Sequence, residues 1–308
     1  MVARYATPLY LLAFDHRASF ERGLFAATPP LSPQVRQGIT KAKELIFSAN
    51  QLAVEAGAPR NRTGVLVDEE FGALVARAAK EAGVPLAMPV EHSGQDEFDF
   101  EYGERFAEHI EVFDPTFVKV LVRYNPEGDA EANRRQTARL ARLSKWLRAA
   151  RRLLLFELLV PPTTAQSETF DDHYDDYDRQ LRPALVVATI AELQAGGVEA
   201  DIWKVEGLDS AEDAAAVVAQ ARTGGREHVN CIVLGRGVGL EKVAGWLATA
   251  AGVPGFAGFA VGRTLWHDAL AQNLAGRVSE PDTVRLIAER YSDLIGINEA
   301  ARITRDAP

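Results

Sequence analysis

The segment FVKVLV (residues 117–122), the stretch Asn133–Ala149 and the segment LLLFELLV (residues 153–160) together decide the fold. Each apolar segment is short and nearly continuous, which is typical of a parallel strand that is covered on both faces. The stretch between them spaces its apolar residues as an amphipathic helix does. The three segments therefore predict a strand, a helix and a second strand of one parallel sheet.

The same alternation continues along the chain in both directions. The other apolar runs are Leu9–Phe14, Gly64–Val67, Leu86–Val90, Asp201–Val205, Cys231–Leu234 and Phe256–Val261. Further helical patterns lie at Val35–Ala56, Glu70–Ala82, Arg182–Ala195, Asp213–Ala221, Leu240–Ala250 and Pro281–Tyr291. Eight such units predict an α/β fold, a single (β/α)8 TIM barrel that occupies residues 1–308 as one domain. A doubly wound open sheet is the alternative, because periodicity alone does not show closure.

Composition excludes several classes of protein. Asp and Glu number 43 against 34 Lys and Arg, a net charge of −9, which argues against a nucleic-acid partner or an anionic membrane surface. The single cysteine, Cys231, excludes an intrachain disulfide and a zinc site of the CxxC type. No apolar run approaches the ~20 residues of a membrane span, and Leu9–Phe14 is too short for a signal peptide. We expect a cytoplasmic protein, and a homo-oligomer remains open.

Three charged residues interrupt the apolar strands. They are Lys119 in FVKVLV, Glu157 in LLLFELLV and Lys204 in DIWKVE. Strands 4, 5 and 6 are neighbours in a barrel, so the three side chains are expected to meet inside its mouth. A nearby cation and burial both favour the neutral amine of a lysine, which makes it a nucleophile, and a glutamate can move protons. This pattern predicts a Schiff-base site, and a buried structural Lys–Glu–Lys network is the alternative.

Two glycine-rich segments follow the last two strands. GRGVG (residues 235–239) and VGRT (residues 261–264) stand where many barrels bind phosphate. Glycine lets backbone N–H groups approach a phosphate, and arginine can bind it with two hydrogen bonds. The alternative is that the glycines serve only tight turns and that the arginines are solvated.

Other polar residues at strand ends allow two interpretations. Asp15-His16-Arg17 after strand 1 could cap a helix or line the pocket, and Asp68, Glu91 and Gln95 after strands 2 and 3 are open in the same way. The acidic stretch Phe170–Tyr177 suggests a metal site, but a solvated loop is the stronger interpretation and no known metal motif is present. We therefore predict no metal and no cofactor.

The chain resembles the class I barrel aldolases related to tagatose-1,6-bisphosphate aldolase. More closely, it resembles the 2-deoxy-5-keto-gluconate-6-phosphate aldolase domain family of myo-inositol catabolism. The matching stretches are LYLLAFDHRASF, GVLVDEEFG, SGQDEFDFEYG, FDPTFVKVLVRYNPEGD, FELLVP, DIWKVEGLD, CIVLGRG and GFAVGRTLW. They extend from strand 1 to strand 8.

The resemblance implies a role for each matching residue. Lys204 would form the Schiff base, Glu157 would be the acid/base beside it, and Lys119 would contact the substrate and favour the neutral amine of the nucleophile. Asp15 and His16 lie where the wider family has an Asp-Gln pair that touches the substrate, and His16 departs from that pair. The candidate substrate-binding residues are Asp15, His16, Arg17, Asp68, Arg123 and Glu206. The candidate phosphate-binding residues are Gly235, Arg236, Gly262 and Arg263.

The activity implied is the cleavage of a phosphorylated keto sugar acid to dihydroxyacetone phosphate and malonate semialdehyde. Glu157 would also take the proton of the hydroxyl beside the breaking bond. Arg17 or Arg123 would bind the carboxylate of the second product. The alternatives are an aldolase for another phosphorylated ketose, resembling tagatose 1,6-bisphosphate or sulfofructose phosphate, another lyase or isomerase, and a non-catalytic barrel that binds a phosphorylated metabolite.

Overall fold

The computed structural model describes residue 5 and residues 7–171 and 173–306. The expected domain limits at residues 1 and 308 lie outside the described residues, and so does Asp172 of the acidic stretch.

Eight parallel strands close into a barrel in chain order. They are β1 (Leu9–Ala13), β2 (Thr63–Leu66), β3 (Leu86–Pro89), β4 (Phe117–Arg123), β5 (Leu153–Leu159), β6 (Ile202–Glu206), β7 (Asn230–Leu234) and β8 (Phe256–Val261). Strand β8 pairs with β1, with Leu12 opposite Val261, and this pairing closes the sheet. The (β/α)8 barrel prediction is thus confirmed, and the open sheet is wrong.

Helices surround the barrel. They are α1 (Pro33–Glu55), α2 (Glu69–Glu81), α3 (Phe106–Phe113), α4 (Ala130–Ala149), α5 (Thr164–Thr169), α6 (Tyr174–Gln180), α7 (Arg182–Ala195), α8 (Ala211–Ala221), α9 (Leu240–Ala251), α10 (Arg263–Leu274) and α11 (Glu280–Asp306). Helix α11 is longer than the predicted Pro281–Tyr291 because it packs against α1 and α9 along its length. Within the described ranges, no helix is both long enough and apolar enough to cross a bilayer.

The core has two parts, because successive residues of a strand point to opposite faces. One set of strand residues packs against the helices, as Val120, Phe156 and Trp203 do. The other set fills the barrel interior: Leu9, Leu11, Ala13, Leu66, Ala87, Phe117, Leu153, Leu155, Ile202, Ile232 and Ala260. Lys119, Glu157 and Lys204 share the inward parity of this second set. The apolar interior therefore forms a floor beneath the three charged side chains.

The acidic stretch Phe170–Tyr177 differs from the predicted loop. Its described part contains the beginning of α6, and Tyr177 is buried with its hydroxyl donating to the Val160 carbonyl at 2.8 Å. The aromatic residues interleaved with the aspartates are the reason, because Phe170 and Tyr177 pack edge to face. Within residues 7–171 and 173–306, no group of three or more His, Cys, Asp or Glu is arranged to hold a metal ion.

Candidate active site

Lys204 and Glu157 form an ion pair inside the barrel mouth. The register of β5 and β6 sets the two residues side by side, and Lys204 Nζ lies 2.7 Å from Glu157 Oε1. Both side chains are buried, with Leu155 and Ile202 one layer below them. A charged pair in this setting is stable only as a pair, so each group fixes the position of the other.

Lys119 lies on the other side of Glu157 and contacts three carboxylates. Its Nζ is 2.7 Å from Asp15 Oδ2, 2.6 Å from Glu91 Oε1 and 3.1 Å from Glu157 Oε2. Burial disfavours the ammonium, but the carboxylates outweigh burial and raise the pKa of Lys119 well above its usual value. Lys119 is therefore a permanent cation, and its role is electrostatic.

The two lysines act on Glu157 in the same way. Burial opposes the ionisation of this carboxyl, but Lys204 and Lys119 together hold the pKa of Glu157 below its usual value. The structure thus brings together the three residues that the sequence placed on strands 4, 5 and 6. Glu157 is an ionised carboxylate that bridges two lysine side chains.

A cavity of about 400 Å³ opens above Lys204. Its wall includes Glu157 and Lys204 at the floor and the β7 and β8 loops at the side. The candidate phosphate-binding residues in that wall are Gly235, Arg236, Gly262 and Arg263. This cavity is called the keto cavity below.

A smaller cavity of about 160 Å³ lies beside it, toward the ends of β1, β3 and β4. Its wall includes Asp15, Arg17, Glu91, Gln95 and Lys119. It is called the distal cavity below. Residues shared by both walls are His16, Ser19, Leu121, Arg123 and Glu157.

Glycines in the loops after β7 and β8 let other atoms lie close to the backbone. A Cβ placed on Gly262 would lie 2.2 Å from the Ala13 carbonyl oxygen and 2.9 Å from His16 Cε1, so no other residue fits there without movement. Gly237 has a φ of +80°, in the left-handed region that favours glycine. Helix α10 begins at Arg263 and turns the positive end of its dipole to the keto cavity.

Arg236 does not present a free charge to the cavity, contrary to the expectation of a simple phosphate ligand. Its Nε lies 3.3 Å from Glu206 Oε1, and its Nη1 pairs with Asp178 on α6. Its guanidinium also stacks on Tyr174, 5.1 Å from the ring centre. A phosphate would have to compete with two carboxylates for this arginine, whereas Arg263 makes its side-chain contact with a backbone carbonyl.

Glu206 lines the keto cavity as the sequence suggested, but it is engaged with the protein. Its Oε2 accepts a hydrogen bond from the Val160 amide at 3.1 Å. Burial raises the pKa of Glu206 despite the neighbouring arginines. Its contacts show that it holds Arg236 in place.

Asp68 lies in neither cavity wall, and its side chain is engaged within the protein instead. It is the N-cap of α2, with Oδ2 accepting from the Phe71 amide at 2.9 Å, and it pairs with the fully buried Lys43. A buried carboxylate needs a cation, and α1 supplies one. The structure thereby selects the helix-cap interpretation for this strand end.

The two arginines expected at the carboxylate end have different surroundings. Arg17 is buried, pairs with Glu101 at 2.7 Å and donates to the Glu91 carbonyl at 2.8 Å, so its charge is already matched. Arg123 donates to the Gln95 carbonyl at 2.9 Å. Among the described residues, no carboxylate lies within ion-pair distance of Arg123.

Sequence reasoning missed two groups of residues. The strand-end position of Glu91 does not reveal its pairing with Lys119, because that contact follows from the register of β3 and β4, which sets Pro89 beside Lys119. Tyr174, from the helical segment after β5, lines the keto cavity, and Asp178 of the same segment pairs with Arg236 in the cavity wall. No pattern in the sequence signals that contact, because it depends on how the segment folds back.

Comparison with family models identifies the family. Residues 2–302 match the model described as "Uncharacterized protein conserved in bacteria (DUF2090)". The chain belongs to this family. The narrower resemblance to the 2-deoxy-5-keto-gluconate-6-phosphate aldolase domain stays a prediction.

A solved structure supports the fold of this DUF2090 member. A fructose-bisphosphate aldolase from Plasmodium falciparum, crystallised with TRAP and a small-molecule inhibitor, aligns with a TM-score of 0.67 at 12% sequence identity. The alignment covers 97% of this chain and 92% of that chain, so the two share the barrel over almost their whole length. A search of curated proteins found no match.

Proposed function

We propose that the protein is a Schiff-base aldolase that cleaves a phosphorylated keto sugar acid. The observation that carries the proposal is the buried contact of 2.7 Å between Lys204 and Glu157 at the floor of a cavity. A lysine that has a carboxylate partner within hydrogen-bond distance, beneath an open cavity, can exchange a proton locally and attack a carbonyl carbon. The aldolase fold of the solved relative agrees with this chemistry.

Lys204 is the nucleophile in the proposed reaction. Its ammonium gives a proton to Glu157, and the neutral amine adds to the ketone carbon in the keto cavity. One proton of the added amine moves to the former ketone oxygen to give a carbinolamine. Glu157 then gives its proton to the carbinol hydroxyl, which leaves as water, and a protonated imine remains. This cation sits where the Lys204 ammonium was, so the Glu157 carboxylate stabilises it as before.

Lys119 has a supporting role in this scheme. It is buried and charged, and it holds Glu157, Asp15 and Glu91 around one point. Its positive charge favours the carboxylate form of Glu157 before the reaction starts. Electrostatic organisation of this kind is in place before the substrate arrives.

The phosphate group is proposed to bind at the β7 and β8 loops. Arg263, Gly235 and Gly262 line the keto cavity together with the beginning of α10. Backbone amides, the helix dipole and one guanidinium are a suitable set for a dianion. In this arrangement the substrate phosphate, which takes no part in the reaction, holds the ketone above Lys204.

The other end of the substrate is proposed to extend into the distal cavity. Arg123 lies on the boundary of both cavities and carries a charge that no described carboxylate neutralises. It is therefore a better ligand for a substrate carboxylate than Arg17, which is paired with Glu101. The leading candidate substrate is 2-deoxy-5-keto-gluconate 6-phosphate, with dihydroxyacetone phosphate and malonate semialdehyde as products.

A cleavage assay tests this function. Purified protein is incubated with 2-deoxy-5-keto-gluconate 6-phosphate, tagatose 1,6-bisphosphate or sulfofructose phosphate, and the release of dihydroxyacetone phosphate is followed with a coupled dehydrogenase. We expect turnover of the first substrate, complete loss of turnover in Lys204→Met, and unchanged turnover in Lys41→Met, which removes an exposed lysine on α1. Binding of these compounds without cleavage would contradict the proposal and favour a metabolite-binding barrel.

A further inference from the structure

His16 occupies the boundary between the two cavities. It lines the keto cavity with Lys204 and the distal cavity with Lys119, and Glu157 and Arg123 also lie in both walls. In the proposed reaction the ketone carbon is bound to Lys204, and the part of the substrate that leaves as the aldehyde extends into the distal cavity. The bond that breaks therefore crosses the boundary where His16 lies.

The His16 ring is held in one position. It packs edge to face on Trp266, with 5.7 Å between ring centres, and the backbone of Gly262 lies against its Cε1 edge. Its Nδ1 atom is buried and has no hydrogen-bond partner among the described residues. Because Nδ1 is buried, a substrate in the two cavities can reach the ring nitrogens only through Nε2.

The orientation of the ring decides which nitrogen faces the substrate. The nearest carboxylate oxygen to Nδ1 is Asp15 Oδ1, at 3.8 Å. This favours the tautomer with the proton on Nδ1, which leaves an acceptor lone pair on Nε2. Burial, together with Arg263 and Lys204, lowers the pKa of His16 to about 4, so the lone pair is free at neutral pH.

Glu157 is poorly suited to the same task at the moment of cleavage. Its two oxygens lie 2.7 and 3.1 Å from the nitrogens of Lys204 and Lys119. Once the imine has formed, the carboxylate remains the counter-ion of that cation and of Lys119. A proton released at the breaking bond needs a second acceptor.

We propose that His16 Nε2 is this acceptor and removes the proton of the substrate hydroxyl whose carbon becomes the aldehyde. The O–H bond breaks and an N–H bond forms on the imidazole, while the O–H electron pair becomes the carbonyl double bond. The C–C bond breaks, and its electron pair moves toward the iminium nitrogen to give an enamine. Asp15 stabilises the imidazolium, and the proton passes to solvent when the aldehyde leaves. This inference rests on the proposed function.

Substrate binding strengthens His16 as a base. Arg263 is one of the charges that oppose protonation of the ring. A substrate phosphate at Arg263 neutralises that charge, so the bound substrate raises the basicity of the group that attacks it. The protein thus couples occupation of the phosphate site to bond cleavage at the cavity boundary.

Partial reactions separate this role from the Schiff-base chemistry. The first two assays use dihydroxyacetone phosphate alone: borohydride trapping on Lys204, and exchange of the carbon-bound proton with deuterium oxide followed by NMR. The third assay is condensation of dihydroxyacetone phosphate with malonate semialdehyde. The variants are His16→Ala and His16→Gln, and His228→Ala serves as a control because it removes an exposed histidine that precedes β7 at the opposite end of the barrel.

We expect trapping and proton exchange in both His16 variants to stay within about threefold of wild type. Condensation should fall by about 10²- to 10⁴-fold in His16→Ala, the usual contribution of a general base. His16→Gln should keep substrate affinity and lose turnover. The control should match wild type in all three assays.

Two results would overturn the inference while leaving the aldolase proposal intact. One is condensation that survives in His16→Ala, and the other is an equal loss of trapping, exchange and condensation in His16→Gln, which would show a merely structural role. Failure of the wild-type protein to trap dihydroxyacetone phosphate would instead refute the aldolase proposal itself.

Discussion

Lys119→Met removes the cation that holds three carboxylates together, and its effect on stability can be estimated. The carboxylate oxygens of Asp15, Glu91 and Glu157 lie 2.7, 2.6 and 3.1 Å from Lys119 Nζ. Each contact is worth about 5 to 6 kcal/mol at an effective dielectric constant of about 20. Dehydration of the four groups and repulsion among the carboxylates cancel most of this sum. Removing one member of a buried ionic cluster costs about 3–5 kcal/mol, and we expect about 4 kcal/mol at pH 7.

The free energy of unfolding that Lys119→Met loses should depend on pH, and the pKa shifts of the carboxyls set the sign of that dependence. In the wild-type protein, lysines hold the pKa of Asp15 and Glu157 below the usual values. In the unfolded chain these carboxyls have pKa values of about 4, so their ion pairs stabilise the folded protein above that pH. The stabilisation is lost as the pH falls through the lower pKa values of the folded protein. In Lys119→Met, Asp15 and Glu91 lose their ion-pair partner while Glu157 keeps Lys204, so protonation of the two unpaired carboxyls stabilises the variant. The difference between variant and wild type should shrink as the pH falls from 7 toward 5.

Urea unfolding at pH 7, 6 and 5 measures these differences. Adding Glu91→Gln to Lys119→Met removes one uncompensated charge and should recover about 1 to 2 kcal/mol, so the two changes are not additive. Lys41→Met is the matched control: Lys41 is half exposed and pairs with Glu280 on the surface, and its loss should cost no more than about 1 kcal/mol. A Lys119→Met deficit below about 1 kcal/mol, or one that does not change with pH, would refute the reasoning.

Three further changes have defined outcomes. Arg123→Gln should raise KM for the acid-bearing substrate at least tenfold and leave cleavage of a neutral-ended ketose phosphate unchanged in a steady-state assay; equal losses for both would contradict a carboxylate contact. The pKa of His16 is about 4 in the folded protein and 6.5 for the free side chain, so the unfolded chain binds the proton more readily as the pH falls. Between pH 7 and pH 4, urea titrations should show the free energy of unfolding of the wild type falling by about 3 kcal/mol more than that of His16→Gln. An equal fall in the two proteins would show that the ring is not buried as described. Gly262→Ala forces a Cβ to 2.2 Å from the Ala13 carbonyl oxygen and should weaken dihydroxyacetone phosphate binding at least tenfold by calorimetry, whereas unchanged binding would place the phosphate elsewhere.

The barrel and its charged centre could be predicted because both follow from local periodicity. Alternation along a strand fixes which residues point inward, and chain order fixes which strands are neighbours. Lys119, Glu157 and Lys204 needed only these two rules to be brought together. Their exact hydrogen-bonding partners needed the register as well, which is why Glu91 was not assigned to Lys119.

The contacts that the sequence did not reveal are those in which the partner comes from a distant helix. Asp68 at a strand end has the same pattern whether it faces the substrate or caps α2, and Lys43 on α1 decides between the two. Arg236 resembled a free phosphate ligand because its partner Asp178 belongs to α6, in a segment whose path the sequence pattern does not reveal. Such contacts are set by tertiary packing rather than by spacing along a strand.

The central claim is that Lys204 forms a covalent imine with its substrate. The direct measurement is an intact mass and a peptide map after incubation with dihydroxyacetone phosphate and sodium borohydride. The account predicts one reduced adduct per chain, located on Lys204 and absent from Lys204→Met. Tight binding of dihydroxyacetone phosphate with no adduct, or an adduct on another lysine, would contradict it.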